Sequence, residues 1–217
     1  QKIQKVVIDC DPGIDDSLAL MLALSMEEIQ VEAITIVCGN SPADMGFSNT
    51  KKILKHMGRL DIPIYVGAER PLKRDYVNAL DTHGADGLGE SFLPEVPGYE
   101  NSMTAQEFLR CWLSRHGYTI EREVLTQEGR TLYCTFLVRA GQMPPLSPAE
   151  CWAGRQYPGM DAPLRSLYLE RLVHRADRAL DGIRRSTKPE DMSRAADLER
   201  VAAGLSAMKK EWEAWQR

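Results

Sequence analysis

Four aspartates, Asp9, Asp11, Asp15 and Asp16, fall within the eight residues D-C-D-P-G-I-D-D. Carboxylates held that close repel one another, and a hard divalent cation taking oxygen ligands while keeping some water is the cheapest relief. The pattern therefore points to a calcium-type site. Helix capping is the competing explanation, because Asp15 and Asp16 at a helix start are favoured by the helix dipole without any ligand. Capping accounts for one or two of the four and leaves Asp9 and Asp11 unexplained.

The elements that would position these side chains can be read from the flanking residues. Lys5 to Ile8 is a short apolar run ended by Asp9 and Pro12-Gly13, as expected of a buried parallel strand. Ser17 to Met26 follows, with Leu18, Leu22 and Met26 along one helical face. Val31 to Cys38 predicts a second strand closed by Gly39-Asn40, Ser48 to Met57 a second helix, and Ile62 to Val66 a third strand. This βαβαβ order opens a doubly wound fold, whose ligands lie outside the carboxyl ends of the strands. Asp9, Asp11, Asp15, Asp16 and Asn40 are expected to converge there.

Charge divides the chain unevenly. Residues 1–102 hold 9 Lys and Arg against 16 Asp and Glu, whereas residues 103–217 hold 18 against 15. Lysine outnumbers arginine 6 to 3 in the first part, and arginine outnumbers lysine 15 to 3 in the second. Folding requires no such shift, so a seam between two sequences of different origin is expected near the linker-like Pro94-Glu95-Val96-Pro97-Gly98. Five cysteines, Cys10, Cys38, Cys111, Cys134 and Cys151, are odd in number and lack a C-x-x-C pair, so reduced, mostly buried thiols are expected. Apolar runs stay short of a bilayer span and Gln1 stands where a Met would, which together predict a cytoplasmic chain with a trimmed start and no membrane partner.

The stretch D-C-D-P-G-I-D-D resembles the N-terminal signature of the inosine-uridine-preferring nucleoside hydrolases, and Val37-Cys38-Gly39-Asn40 falls where their second-strand Gly-Asn lies. Ile64-Tyr65-Val66-Gly67-Ala68, Arg70-Pro71-Leu72 and T-H-G-A-D-G-L-G from Thr82 to Gly89 continue the similarity, which runs from about Lys5 to Gly98. The resemblance implies that Asp11 binds calcium and acts as general base on a metal-bound water, and that Asp16 is a second metal ligand. It implies that Asp15 and Asn40 hold the ribose hydroxyls of a ribonucleoside substrate. His83, in a glycine-rich loop near the pocket, is expected to be a loop contact to that substrate rather than a catalytic acid. A cation lowers the pKa of bound water, a carboxylate takes its proton, and a grip on the 2′- and 3′-hydroxyls favours an oxocarbenium-like centre. The later part of such enzymes supplies a third calcium aspartate and the groups that embrace the base, and nothing after residue 103 resembles it. Calcium binding is accordingly expected to be weak and N-glycosidic hydrolysis impaired.

The second half follows a different plan. Thr104-Ala105-Gln106-Glu107 is a capping box opening a helix with Phe108, Cys111 and Trp112 on one side. Tyr118 to Leu125 and Thr131 to Arg139 alternate as strands around Gln127-Glu128-Gly129. A short helix capped by Ser147 with Pro148 in its first turn precedes two longer helices joined by Ser186-Thr187-Lys188-Pro189. Leu169, Leu172, Ala176, Leu180 and Ile183 stripe the first, and Leu198, Val201, Leu205, Met208, Trp212 and Trp215 the second, as in an antiparallel helical hairpin. F-L-R-C-W-L-S-R-H-G-Y-T-I-E-R-E, E-G-R-T-L-Y and Leu146 to Glu150 resemble the C-terminal end of the bacterial tRNA adenine-N1 methyltransferases. The resemblance implies a helical domain that helps to grip tRNA, without the S-adenosylmethionine loop, so no S-adenosylmethionine site is expected.

Arg165, Arg171, Arg175, Arg178, Arg184 and Arg185 could neutralise phosphates, but Glu170, Asp177 and Asp181 interleave with them, which favours a solvated helix face. The expected architecture is α/β: a truncated doubly wound, Rossmann-like sheet (1–98), a linker (99–103), a helix with a β-hairpin (104–143) and a coiled-coil-like helical pair (144–217). The hairpin is expected to dock on Lys5–Ile8 as a mixed sheet. A nucleoside hydrolase-like enzyme, a tRNA-binding remnant and an inactive hybrid are the three functional expectations, with homo-oligomerisation left open.

Overall fold

A computed structural model of the chain describes residues 2–98, 101–186 and 189–217. Tyr99 and Glu100 of the expected linker, and Thr187 and Lys188 of the expected interhelical turn, lie outside the described residues. The chain divides into two compact units, Gln1–Ala105 and Gln106–Arg217. No helix among the described residues is long and apolar enough to cross a membrane.

The first unit runs β1 (Gln4–Cys10), α1 (Ile14–Ser25), β2 (Ile29–Ile36), α2 (Ala43–His56), β3 (Ile64–Val66) and the short α3 (Leu80–His83). Its strands form a parallel sheet in the order β1-β2-β3, with Ile8 beside Ile34 and Ile34 beside Ile64. Right-handed crossovers that advance in one direction put both helices on the same face, and α1 indeed packs against α2. Leu20 of α1 and Ile53 and Leu54 of α2 close over Ile34, Ile36 and Ile64 to make the core. β2 is central, and Ile34, Thr35 and Ile36 are completely buried, as its continuous apolar run requires.

One helical face differs from expectation. Leu18 and Leu22 are 62% and 64% exposed, whereas the core side of α1 is Ser17 and Leu20, with Met21 and Leu24 packed beside it. The segment IDDSLALMLALS is apolar around most of its circumference after the first turn, so two stripes compete and periodicity does not choose between them.

In the second unit, α4 (Ala105–Arg115) precedes the antiparallel pair β4 (Tyr118–Glu128) and β5 (Thr131–Ala140). The turn between the strands is Gly129-Arg130, with Gly129 at φ 54°, the left-handed conformation that a two-residue hairpin turn needs at its first position. The hairpin forms a sheet of its own, so the expected mixed sheet with Lys5–Ile8 is not formed and β1 remains an outer strand. The contacts of the hairpin described by the structure lie within its own unit. Arg110 of α4 is fully buried, bonds Glu123 of β4 at 3.0 Å, reaches the Cys134 sulfur of β5 at 3.4 Å and lies over the Phe136 ring. The hairpin is tied to the helix that precedes it.

Three more helices complete the unit: α5 (Pro148–Ala153), α6 (Arg165–Arg184) and α7 (Pro189–Trp215). Ser147 caps α5 in a reciprocal box, accepting from the Glu150 N–H at 3.2 Å while Glu150 accepts from the Ser147 N–H at 2.8 Å. At the other end the last carbonyls of α5 would be orphaned. Arg110 Nη1 donates to the Cys151 and Trp152 carbonyls at 2.8 and 2.7 Å, the Tyr168 hydroxyl donates to Trp152, and Arg165 donates to Ala153 and Gly154. Two buried guanidinium groups thus cap the negative end of a six-residue helix. Leu169, Leu172, Ala176 and Leu180 of α6 are buried, as are Leu198, Val201, Leu205 and Trp212 of α7, on the expected stripes. At Gly204 of α7 an added Cβ would come within 2.6 Å of the Ala149 side chain, so glycine sets the approach of α5 to α7.

All four tryptophans, Trp112, Trp152, Trp212 and Trp215, lie in this second unit. Intrinsic fluorescence therefore follows its unfolding. Arg110→Ala orphans the Glu123 carboxylate and the α5 carbonyls and is expected to lower stability by about 3–5 kcal/mol. Arg171→Ala, which removes an exposed bond to the Arg130 carbonyl, should stay within about 0.5 kcal/mol. Denaturant titration read by tryptophan emission separates the two.

Candidate functional site

The β1–α1 turn carries the aspartates, and the structure sorts them. Asp9 lies inside β1 opposite Thr35, where its Oδ1 accepts the Thr35 hydroxyl at 2.6 Å. It is engaged across the ladder, and the expected convergence of all four carboxylates is corrected to that extent. Asp11 sits just past the strand end, half-buried. Its Oδ2 accepts the Asn40 N–H at 2.6 Å, while its own N–H donates to Asp16 Oδ2 at 3.0 Å. Asp16, in the first turn of α1, reaches back to the strand rather than out to solvent. Asp15, one residue before it, is 72% exposed at its side chain.

Gly39 explains how the second loop comes so near. A Cβ there would fall on the Asp11 carboxylate, so only glycine lets the β2–α2 loop place Asn40 against it. Asn40 is held in turn by its carbonyl, which accepts the Ala79 N–H at 2.9 Å.

His83 is buried at the end of α3, and its Nδ1 accepts the Ile14 N–H at 3.1 Å. The imidazole caps α1, a helix whose N-cap residue Gly13 offers no side chain, and lies 4.0 Å from Asp15 Oδ1. A Cβ on Gly13 would come within 2.5 Å of that nitrogen. The structure therefore brings Asp11, Asp16 and Asn40 together directly, and joins Asp15 and His83 at the same helix start.

Burial, then the charges of Asp11 and Asp15, push the Asp16 carboxyl above its ordinary range, against the pull of the Asp11 N–H. Two hard carboxylates of this kind suit a divalent ion in donor chemistry, but alone they fall short of the 6–8 oxygens calcium takes. Among the described residues no group of three or more His, Cys, Asp or Glu side chains is gathered to hold a metal.

Two neighbours were not singled out from the sequence. The Tyr76 hydroxyl is buried without a hydrogen-bond partner among the described residues, and burial followed by the charges of Cys38, Asp11 and Asp44 raises its pKa. A tyrosine in a polar loop gives no sequence signal of this. Asp86 organises the loop after His83, accepting the Leu88, Glu90 and Phe92 N–H groups at 2.9, 2.8 and 3.0 Å. Gly84, Gly87 and Gly89 there, and also Glu90 and Phe92, have left-handed φ values. An Asp followed by Gly in a glycine-rich run is a turn signal that could have pointed to it.

Four of the six arginines weighed from the sequence have partners within the unit, and Arg178 and Arg185 are exposed on or beside α6. Arg165 caps α5, Arg171 bonds the Arg130 carbonyl, Arg175 pairs with buried Glu107 and lies 4.3 Å over the Trp152 ring, and Arg184 pairs with Glu199.

Comparison with known proteins gives the class. The model of the inosine-uridine preferring nucleoside hydrolase family matches residues 6–128, more than half of the chain, and the chain belongs to that family. The match passes residue 103, where the motifs stop. Residues 105–128 are the helix α4 and strand β4, which prolong the alternation of the first unit even though β4 pairs only with β5. A pyrimidine-specific ribonucleoside hydrolase RihA of Salmonella typhimurium is 42% identical over 104 residues, 48% of this chain and 33% of that protein. The plant nucleoside hydrolase PpNRh1 superposes with a TM-score of 0.50 at 33% identity, over 52% of this chain and 36% of that one. The chain thus spans about a third of the length of the curated relatives it matches. M. capricolum TrmK overlaps 93% of the chain at 14% identity and a TM-score of 0.31, a likeness that carries no argument.

The Asp86 carboxyl is held below its usual range: burial opposes this, but the three backbone donors outweigh it. Its contribution is complete above the ordinary value of 3.8 and is lost as pH falls through the depressed folded value. Asp86→Ala should expose residues 84–92 to limited proteolysis at neutral pH and cost about 1–2 kcal/mol. The difference from the unmodified chain should vanish in acid.

Proposed function

We propose that the first unit is the cation- and ribose-binding part of a nucleoside hydrolase, acting on the N-glycosidic bond of ribonucleosides. The observation that carries this is the clamp on Asp11: its carboxylate held by the Asn40 N–H above Gly39, with the Asp16 carboxyl on the same turn. Asp11 and Asp16 would hold a divalent cation, calcium by donor type. Such a cation supplies a lowered pKa for a water and charge to orient it.

The residues of the chain then divide the remaining tasks. Asp11, one oxygen fixed by Asn40, takes a proton from the attacking water at the other. Asp15, exposed at the start of α1, and the Asn40 side chain bind the ribose hydroxyls. His83 orients Asp15 and the helix start through its bond to Ile14. Ribose and cation recognition with slow hydrolysis is the activity these residues support.

The test has two readouts. Free ribose released from inosine or uridine, with calcium or with chelator, reports hydrolysis. Release above the uncatalysed rate that needs calcium and is abolished in Asp11→Asn is expected; equal release by the variant overturns the catalytic assignment. Thermal melting reports the cation separately. With chelator, Asp11→Asn and Asp16→Asn should melt no lower than the unmodified chain, because each relieves a carboxylate repulsion. In calcium of about millimolar concentration the unmodified chain should gain melting temperature and neither variant should follow it. A chain that gains nothing, or variants that gain equally, would reduce these carboxylates to helix caps.

A further inference from the structure

The outer strand of the first unit has an open edge that the hydrolase reading does not use. Among the described residues β1 pairs with β2 alone. The Gln4 N–H donates to the Glu28 carbonyl at 2.8 Å, and the Cys10 carbonyl accepts the Val37 N–H at 3.0 Å, so the even-numbered residues of β1 turn their backbone groups toward β2 and its flanks. The register irregularity between Val6 and Val7 skips Glu32 of β2 and leaves the alternation along β1 intact. Lys5, Val7 and Asp9 therefore present their N–H and C=O groups on the open edge.

The side chains of these three residues also share a face, opposite Val6, Ile8 and Cys10 on the side that packs into the core. Lys5 and Asp9 are exposed and Val7 is half-buried. A strand that reads Lys-x-Val-x-Asp along its edge is complementary to its own reverse. About a two-fold axis at Val7, antiparallel pairing sets Val7 against Val7 of a second copy and Lys5 against its Asp9, with about 5.5 Å between facing Cα atoms. Each facing pair exchanges both main-chain bonds, about six in all, and an ion pair closes either end. The partners these residues already have leave room for this. Lys5 bonds Glu32 at 2.7 Å and Asp9 takes the Thr35 hydroxyl on one oxygen at 2.6 Å, but an ammonium has three donors and a carboxylate a second oxygen.

We propose that β1 is a homodimer edge, two copies of this chain joining β1 to β1 antiparallel so that one sheet runs on across the two-fold axis. The charge order selects a second copy as the occupant, since a foreign strand would have to bring an acid and a base at the same spacing in the reverse order. The assembly closes at two, because pairing uses β1 of both copies and the other outer strand, β3, is three residues long. A contact of seven residues a side is smaller than a standard interface, so association is weak and depends on concentration. Asp11 follows β1 in each copy, and the antiparallel arrangement sends the two candidate sites to opposite ends of the joined strands.

Sedimentation velocity of the full chain, from micromolar to millimolar concentration, should show monomer passing to dimer. Lys5→Asp and Asp9→Lys each set like charges opposite one another across the axis, and each variant alone should stay monomeric. An equimolar mixture of the two restores both ion pairs and should form a mixed dimer, with circular dichroism checking that the variants are folded. Hydrogen exchange on the unmodified chain needs no substitution and decides the matter where a variant fails to fold. Raising the concentration through the transition should slow the Lys5, Val7 and Asp9 amides at least about tenfold and leave those of Val6 and Ile8 unchanged. A chain that is monomeric at millimolar concentration, a single variant that dimerises as readily as the unmodified chain, folded variants that form no mixed dimer, or slowing confined to other segments such as the exposed face of α1 would overturn the proposal.

Discussion

Backbone N–H groups hold the negative charge of the first unit, and its arrangement follows from that constraint. Asn40 donates to Asp11, Asp11 donates to Asp16, and three alternate loop amides, of Leu88, Glu90 and Phe92, donate to Asp86. A carboxylate stabilised by main chain fixes the path of that main chain, because the donors cannot rotate away as a lysine could. The β1–α1 turn, the β2–α2 loop and the glycine-rich loop are each placed by an aspartate. Their glycines follow: Gly39 makes room for a carboxylate and Gly13 for the imidazole that closes the helix start.

The second unit inverts the signs. Its buried guanidinium groups, Arg110 and Arg165, are received by carbonyls at the end of α5. Arg110 also joins α5 to the hairpin through Glu123, so one side chain connects three elements. A lysine could not substitute, since the contacts need several donors fanned out in one plane. At positions 110 and 165, therefore, the fold itself requires arginine. Arg110 also ties the hairpin to its own helix.

Most elements were legible because local rules agree with tertiary ones. The apolar run at β2, the Ser147-Pro148 start of α5 and the stripes on α6 and α7 each carry a signal that burial confirms. Legibility failed where two answers were locally equal. The helix α1 offers apolar residues on both sides, and only the sheet decides that Leu20 rather than Leu18 faces inward. Asp9 and Asp11 look alike in sequence, yet Asp9 meets a hydroxyl on a neighbouring strand and Asp11 an amide beyond it. Such partners are 26 and 29 residues away, outside any local window. The roles of Arg110 and Glu107 were hidden for the same reason, since buried ion pairs join positions that share no pattern.

The brevity of α5 has a thermodynamic meaning. A six-residue helix is too short to persist in isolation, because its first turn costs more ordering than its few hydrogen bonds return. Its carbonyls are satisfied by side chains from α4 and α6, 41 and 12 residues distant along the chain. Neither guanidinium can leave water before those carbonyls converge, and the carbonyls do not converge until the helix exists. Desolvation of the two guanidinium groups and closure of α5 are therefore coupled, and neither is satisfied without the other.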